Sequence, residues 1–328
     1  MQADEFLRRM EEFKDRNLFV IQGDEPYLME QAEKALIDSF GLSFPEMNLT
    51  VLQDKAGYSD IWNTCMQAPC FASSRATVID GIDVSSKDLD FSRILDELPK
   101  ETKLVIVMRS KPDLRKSVYK RLKEEAVTCE CNSLNETMLV KWIKVTGKRK
   151  GVALSDSASR LLLEITGGDM NTILNEVEKL RFLMIRSPSE KEIRDTVSGT
   201  LEYDIFEFHN CMMNGEYDKA FSIYESFRKN KEQVLGFIGL LTGKFTPMYL
   251  AKGLMMKGMP ERGAADMVSE AMGIKPYPAL LAARDAKRFT LREIKNSIRE
   301  LEEMDRRVKT FNKINDYKSL FLKIYNRV

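Results

Sequence analysis

The sequence is poor in the residues on which most catalysis depends. Among 328 residues there is one histidine, His209; nothing resembles a Ser/His/Asp triad, and a single histidine makes many acid–base schemes unattractive. The five cysteines, Cys65, Cys70, Cys129, Cys131 and Cys211, are odd in number and form no C-x-x-C pair. A zinc site needs four converging ligands, and a single histidine does not supply them. The thiols therefore read as reduced packing residues, and no metal is expected. No uninterrupted apolar stretch is long enough to span a bilayer. The segment from Met1 to Arg16 reads as a charged amphipathic helix with Phe6, Leu7, Met10 and Phe13 on one side, unlike the core of a signal peptide. A cytoplasmic chain with no membrane association is expected. Charge of one sign is also lacking: 51 basic residues face 50 acidic ones, so no strong global field attracts nucleic acid. Residues 1 to 200 carry 29 basic and 33 acidic residues, and residues 201 to 328 carry 22 and 17. That asymmetry permits a basic C-terminal face without demonstrating one.

The most informative absence is a phosphate loop. Leu18-Phe19-Val20-Ile21 reads as a buried parallel strand, and Tyr27 to Phe40 has apolar residues at helical spacing. Between them a P-loop ATPase would carry G-x-x-x-x-G-K-[ST], with exposed N–H groups and a lysine for the terminal phosphates. The chain instead has Gly23-Asp24-Glu25-Pro26. Asp24 and Glu25 repel a triphosphate, Pro26 removes a donor, and the next lysine is Lys34, well inside the helix. The architecture points to a nucleotide-binding ancestor and the chemistry to a lost site. Two further parts are missing. Val78-Ile79-Asp80-Gly81-Ile82-Asp83 ends a strand with acids but has no D-E pair to hold Mg²⁺. In Gly167-Gly168-Asp169-Met170-Asn171, the place of an arginine sensing the γ-phosphate is held by Asn171. No nucleotide or other cofactor is expected.

What is present divides by periodicity. Strands are predicted at Leu18 to Gln22, Asn48 to Gln53, Ala76 to Asp80, Lys103 to Arg109 and Val127 to Cys131. They alternate with helices predicted at Tyr27 to Phe40, Ser59 to Ala68, Ser86 to Leu98 and Asp113 to Glu125, the pattern of βαβ units and a parallel sheet covered on both faces. From Ser133-Leu134-Asn135-Glu136, a capping-box pattern, the period becomes helical throughout. Helices are predicted over 155 to 166 and 169 to 184. Ser187-Pro188-Ser189-Glu190 reads as a second capping box with Pro188 at the first helical position. After a hinge at Ser198-Gly199-Thr200, helices follow over 204 to 214, 216 to 229, 231 to 257, 260 to 272, 276 to 288 and 290 to 326. The expected fold is α/β plus all-α: a sheet domain over 1–132, a small helical domain over 133–199 and a helical bundle or collar over 200–328.

Three segments invite a functional reading. A helix ending near Pro69 is followed directly by Cys70 and Phe71, on a corner where apolar side chains have little to bury against. Spacing leaves two placements open: Phe71 turned under the sheet, or Phe71 exposed as an interaction anchor, where filling a partner pocket contributes about 1.5 to 3 kcal/mol. Lys144, Lys148, Arg149 and Lys150 form a basic patch near a helix end, best read as a solvated face. Arg299, Arg306, Arg307, Lys309 and Lys313 alternate with Glu300, Glu302, Glu303 and Asp305 as an exposed ion-pair surface would.

Taken in order, several short motifs give a family resemblance over nearly the full length. They are the strand before Gly23-Asp24-Glu25-Pro26-Tyr27-Leu28; Pro69-Cys70-Phe71 ahead of Ala76 to Asp80; Trp142 within Leu139 to Ile143; Gly168-Asp169 through Asn175-Glu176-Val177-Glu178-Lys179-Leu180; Asp204 to Phe208; and Asp305 with Lys309. The chain resembles the delta subunit of the bacterial DNA polymerase III clamp loader. The resemblance implies an AAA+-like sheet domain without ATPase activity, a helical lid and a C-terminal collar. It implies a subunit that opens the ring-shaped sliding clamp by a hydrophobic wedge, carried over here to Cys70 and Phe71 with Met66 as a flank. Cys70 departs from the larger apolar residue usual there. The partners implied are the sliding clamp (beta), the ATPase subunits (gamma/tau) and delta-prime through the collar, and primer-template DNA within the assembled loader. The chain itself has no intrinsic activity in this reading, and the holoenzyme's nucleotidyltransferase chemistry, as a DNA-directed DNA polymerase, belongs to another subunit. The other readings are an active AAA+ ATPase with a degenerate P-loop and an autonomous DNA-binding protein.

Overall fold

Alternate residues of the apolar strands pack on opposite faces of one sheet, which is why those strands read as continuous apolar runs. The computed structural model describes all residues except 54–55, 87–88, 110–114, 198–200, 229, 312–316 and 326–328. The chain divides into two compact units, Met1–Ser133 and Leu134–Val328. The first holds β1 (Leu18–Gly23), β2 (Leu49–Leu52), β3 (Arg75–Asp80), β4 (Thr102–Met108) and β5 (Val127–Cys131), with α1 (Ala3–Arg8), α2 (Pro26–Ser39), α3 (Pro45–Asn48), α4 (Tyr58–Met66), α5 (Phe91–Glu97) and α6 (Ser117–Glu125). The strands are all parallel in the order β2-β3-β4-β1-β5. Leu18, Val20, Leu104 and Ile106 pack with Ile61, Phe91, Ile94 and Leu122 on one face. Phe19, Ile21, Val105 and Val107 pack with Phe6, Met29, Ala32 and Leu36 on the other. This is the doubly covered parallel sheet expected of alternating strands and helices.

The second unit is helical: α7 (Glu136–Arg149), α8 (Asp156–Ile165), α9 (Met170–Phe182), α10 (Glu190–Val197), α11 (Leu201–Asn214), α12 (Tyr217–Phe227), α13 (Lys231–Met256), α14 (Glu261–Met272), α15 (Pro276–Ala286), α16 (Leu291–Phe311) and α17 (Lys318–Ile324). An aromatic cluster of Phe208, Tyr224, Phe237 and Phe321, with ring centroids 4.8–5.8 Å apart, forms the centre of the C-terminal bundle. By length and composition α13 passes for a membrane-spanning helix, although Lys244 and Lys252 interrupt its apolar run. In this fold it buries Val234, Phe237, Ile238, Leu241, Phe245 and Met248 within the bundle.

Several predicted boundaries are corrected. The N-terminal segment is an α-helix of six residues followed by a 3₁₀ turn over Met10–Phe13, and Leu7 faces solvent while Phe6 and Phe13 are buried. Residues 45–48, partly assigned to a strand, are the short helix α3. The helix predicted from Ser86 begins at Phe91, because the Asp90 side chain accepts the N–H of Arg93 and caps it. Both predicted helix starts shift by two residues, and only the second is a capping box. Asn135 rather than Ser133 caps α7, accepting the Met138 N–H at 3.0 Å, in keeping with the strength of Asn as a cap. Ser189 and Glu192 exchange the reciprocal bonds before α10, so Pro188 precedes the cap instead of opening the helix. The single C-terminal helix predicted over 290 to 326 is two helices, α16 and α17. The expected hinge at Ser198-Gly199-Thr200 lies outside the described residues.

Candidate functional site

The turn from β1 into α2 is filled by the chain's own groups. Gly23 pairs with Cys131 of β5 at φ +151°, and a Cβ on it would lie 2.1 Å from the Cys131 carbonyl oxygen. Only glycine fits there, and the requirement comes from strand packing with no ligand involved. Asp24 accepts the Ser133 N–H at 2.6 Å. Glu25 is buried, donates its N–H to the Cys131 carbonyl at 2.9 Å, and caps α2 by accepting the Tyr27 N–H at 3.3 Å. A helix N-terminus is where a phosphate would bind. Here a built-in carboxylate already occupies it, with Pro26 at the first position removing one more donor.

The acid that ends β3 is satisfied within the chain in the same way. Asp80, last in β3, is bridged by Arg109, which follows β4, through two bonds of 2.8 Å. The bridge to Asp80 raises the Arg109 guanidinium above its ordinary value. Glu33 on α2 is pushed above the usual carboxylate range by burial and then by the neighbouring charge of Asp80. An acid committed to a bidentate ion pair is poorly placed to hold Mg²⁺. In the helical unit, Asp169 caps α9 by accepting the Thr172 N–H at 2.8 Å and pairs with Lys275 at 3.0 Å. Asn171 in the first turn of α9 is exposed.

The loop between α4 and β3 behaves in the opposite way. Phe71 is 87% exposed, in the left-handed conformation at φ +50°. Bulky residues adopt that conformation at a cost of about 1–2 kcal/mol. Of the two placements that spacing left open, the outward one is observed. Cys70 is half-buried, and Met66, the last residue of α4, packs half-buried against the sheet core. The loop is fixed at its root by Asn48, which is fully buried. Its Oδ1 accepts the Cys70 N–H at 2.7 Å and its Nδ2 donates to the Cys70 carbonyl at 2.9 Å. The same Nδ2 donates to the Ser43 carbonyl at 2.7 Å. Below the loop, Thr102 Oγ1 donates to the Cys65 carbonyl at 2.9 Å, and Arg75 is buried with its guanidinium donating to Thr50 Oγ1 at 3.2 Å. Sequence reasoning missed Asn48, whose partner lies 22 residues away. It also missed Phe44 and Met47, which are 52% and 54% exposed.

Several of the remaining candidates have structural partners. His209 is buried, with Nδ1 2.7 Å from the Tyr325 hydroxyl and Nε2 3.3 Å from Asp285. Cys129 and Cys131 are buried with their sulfurs 3.6 Å apart, and the Cys131 bond together with burial pushes the Cys129 thiol up. Lys144 pairs with Asp156 and Lys150 with Glu178. On α16, Arg306 and Arg307 both bind Glu303, and Lys309 binds Asp305. Lys313 lies outside the described residues.

The comparisons agree with one another. A family profile described as DNA polymerase III, delta subunit matches residues 19–132, and one described as DNA polymerase III delta subunit, C-terminal domain matches residues 202–323. The chain is 23% identical over 224 residues to DNA polymerase III subunit delta of Bacillus subtilis (strain 168), a match spanning 68% of this chain and 63% of that protein. It is 24% identical over 313 residues to the probable DNA polymerase III subunit delta of Aquifex aeolicus (strain VF5), covering 88% and 85%. In fold it is similar to the Bacillus subtilis DNA clamp loader delta protein, with a TM-score of 0.74, 19% identity and 98% of each chain covered. Two profiles of one family thus account, in order, for the sheet domain and the C-terminal bundle, and the chain belongs to the DNA polymerase III delta subunit family.

Proposed function

We propose that this chain is the clamp-loader subunit that binds a ring-shaped sliding clamp and holds one of its interfaces open, without hydrolysing ATP itself. The observation that carries the reading is Phe71: a large aromatic side chain, 87% exposed in a left-handed conformation, on a loop whose root is fastened by a buried amide. An exposed, pre-positioned aromatic on a rigid base is the form of an interface anchor, because little ordering entropy is lost on binding. Cys70 lies beside it as the second wedge residue and Met66 flanks it from the end of α4. The filled β1–α2 turn and the Asp80–Arg109 pair support the absence of ATP chemistry.

The mechanism is differential binding. A subunit opens a ring only if it binds the open form more tightly than the closed form, by the free energy that opening costs. ATP would be bound by partner subunits (gamma/tau), which with delta-prime assemble through the collar domain over 200–328. The domain over 133–199 would serve as the lid, and primer-template DNA would meet the chain inside the assembled loader. Polymerisation would then be the work of another subunit of the holoenzyme. The test is to mix the purified chain with its cognate clamp, measuring complex formation and release of clamp from nicked circular DNA. A stable complex with accelerated release is expected. Absence of both sinks the proposal.

A further inference from the structure

The loop carrying Phe71 is not alone at its edge of the sheet. Phe44 and Met47 stand at and within α3, just before the strand β2, and both are more than half exposed. Phe44 adopts the left-handed conformation, φ +51°, nearly the value at Phe71. Two phenylalanines thus stand outward in the same unfavourable backbone state on two separate loops, and one side chain reaches the main chain beside both. That side chain is Asn48. Its amide donates to the Ser43 carbonyl at 2.7 Å, lies 3.4 Å from the Phe44 carbonyl, and is bonded at both ends to the main chain of Cys70. One fully buried side chain thus ties the backbone next to Phe44 to the backbone next to Phe71.

We propose that Phe44 and Met47 form a second apolar contact for the clamp, held in fixed register with Phe71 by Asn48. This rests on the reading of Phe71 as the clamp anchor. The occupant follows from continuity and area. A single aromatic side chain covers a fraction of the roughly 800 Å² per partner that a stable protein interface buries, so a clamp seated on Phe71 must also cover neighbouring surface. The exposed apolar side chains tied to the same clasp are those of Phe44 and Met47. A two-point contact also performs what a one-point contact cannot. A lone Phe71 in a pocket lets the clamp pivot about it, whereas two knuckles in register transmit a torque, as distorting a ring interface requires.

The experiment measures binding of the full-length chain to its cognate clamp by titration calorimetry or surface plasmon resonance, comparing wild type, Phe71→Ala and the double variant Phe44→Ala/Met47→Ala. At least a fivefold loss is expected for the double variant, with only a small fall in thermal stability because more than half of each residue is exposed. Binding within twofold of wild type, alongside a clear loss for Phe71→Ala, overturns the second contact and leaves the anchor reading standing. No loss for Phe71→Ala overturns both. In an Asn48→Ala background the loss on Phe71→Ala should shrink, a coupling that a general loss of stability does not produce. Additive losses overturn the role of Asn48. A wild-type measurement covers the case in which variants misfold. Oxidative footprinting should show Met47 protected when clamp is added, with the exposed Met184, Met256 and Met267 as internal references. Equal oxidation of Met47 with and without clamp overturns the proposal, as does protection that appears without clamp as the chain's own concentration rises, which would assign the surface to a second copy.

Discussion

The β1–α2 turn and the α4–β3 loop connect the same sheet at opposite edges and resolve their polar and apolar groups in opposite ways. At the carboxyl edge the side chains of Asp24, Glu25 and Asp80 all turn onto protein partners: the Ser133 and Tyr27 N–H groups and the Arg109 guanidinium. At the amino edge a buried side chain, Asn48, fastens the main chain of Cys70, and the next residue, Phe71, stands exposed in water. In α/β sheets the carboxyl edge is where ligands bind. Here the described acids Asp24, Glu25 and Asp80 are satisfied within the chain, and the exposed Phe71 stands at the other end of the strands. A sheet kept at full packing quality with its nucleotide edge closed serves as a rigid mount for a loop.

The comparison can be broken at either edge. The largest effect is expected from Gly23→Ala, because the new Cβ would meet the Cys131 carbonyl at 2.1 Å in a backbone conformation that L-residues avoid. Overpacking and backbone strain together should cost about 3 kcal/mol of stability. Chemical denaturation of the full chain measures it, and a loss below about 1 kcal/mol would show the turn to be looser than described. Next is Phe71→Ala, which should weaken clamp binding by about 2 kcal/mol, roughly thirtyfold, while leaving the unfolding midpoint unchanged. An unchanged affinity in a direct titration removes the amino edge from the comparison altogether.

Glu25→Ala tests whether the carboxyl edge is closed by structure or merely by charge. Losing the cap should cost about 1 kcal/mol of stability, and no ATP affinity should appear, since Asp24, Pro26 and the Asp80–Arg109 pair remain. Saturable ATP binding by either wild type or variant, in a fluorescence or calorimetric titration, would restore the degenerate-ATPase reading.

How much of this was legible in the sequence follows from the range over which each signal acts. The central strands β1 and β4 were legible because both faces of the sheet are buried there, so each carries a short continuous apolar run; β2 and β5, at the two edges of the sheet, were legible from their β-branched and aliphatic residues. The missing phosphate loop was legible because it is a contiguous motif. Its consequence, that Glu25 fills the site and does not merely repel a ligand, needed the fold. Both helix starts were placed two residues early because Ser133 and Ser187 each stand three residues before a glutamate, the local capping-box signature; Ser189 fits that signature too, whereas Asn135 caps without it. The four-residue α3 is too short for periodicity to register. Asn48 was invisible for a stronger reason: its importance lies in a main chain 22 residues away, and a buried asparagine has the same sequence signature as an exposed one. For Phe71, spacing could not separate inward from outward, because the deciding variable is a backbone angle that the neighbouring residues do not specify.

The smallest predicted effect sharpens the amino edge. Cys70 sits where a larger apolar side chain is usual in the resembled family, and its main chain is held by Asn48 through bonds that do not involve the thiol. Cys70→Leu should therefore leave the loop's backbone in place and change only the side chain. If that side chain faces the clamp, the added apolar area should tighten binding by up to about 1 kcal/mol, roughly fivefold, with no change in stability. If it faces the interior, leucine overpacks the half-buried site, and stability falls by about 1 kcal/mol or more while affinity stays the same or drops. Measuring affinity and unfolding on the same preparation separates the two. Only the first result makes Cys70 part of the wedge, whereas the second leaves Phe71 as the anchor and gives Cys70 to the mount.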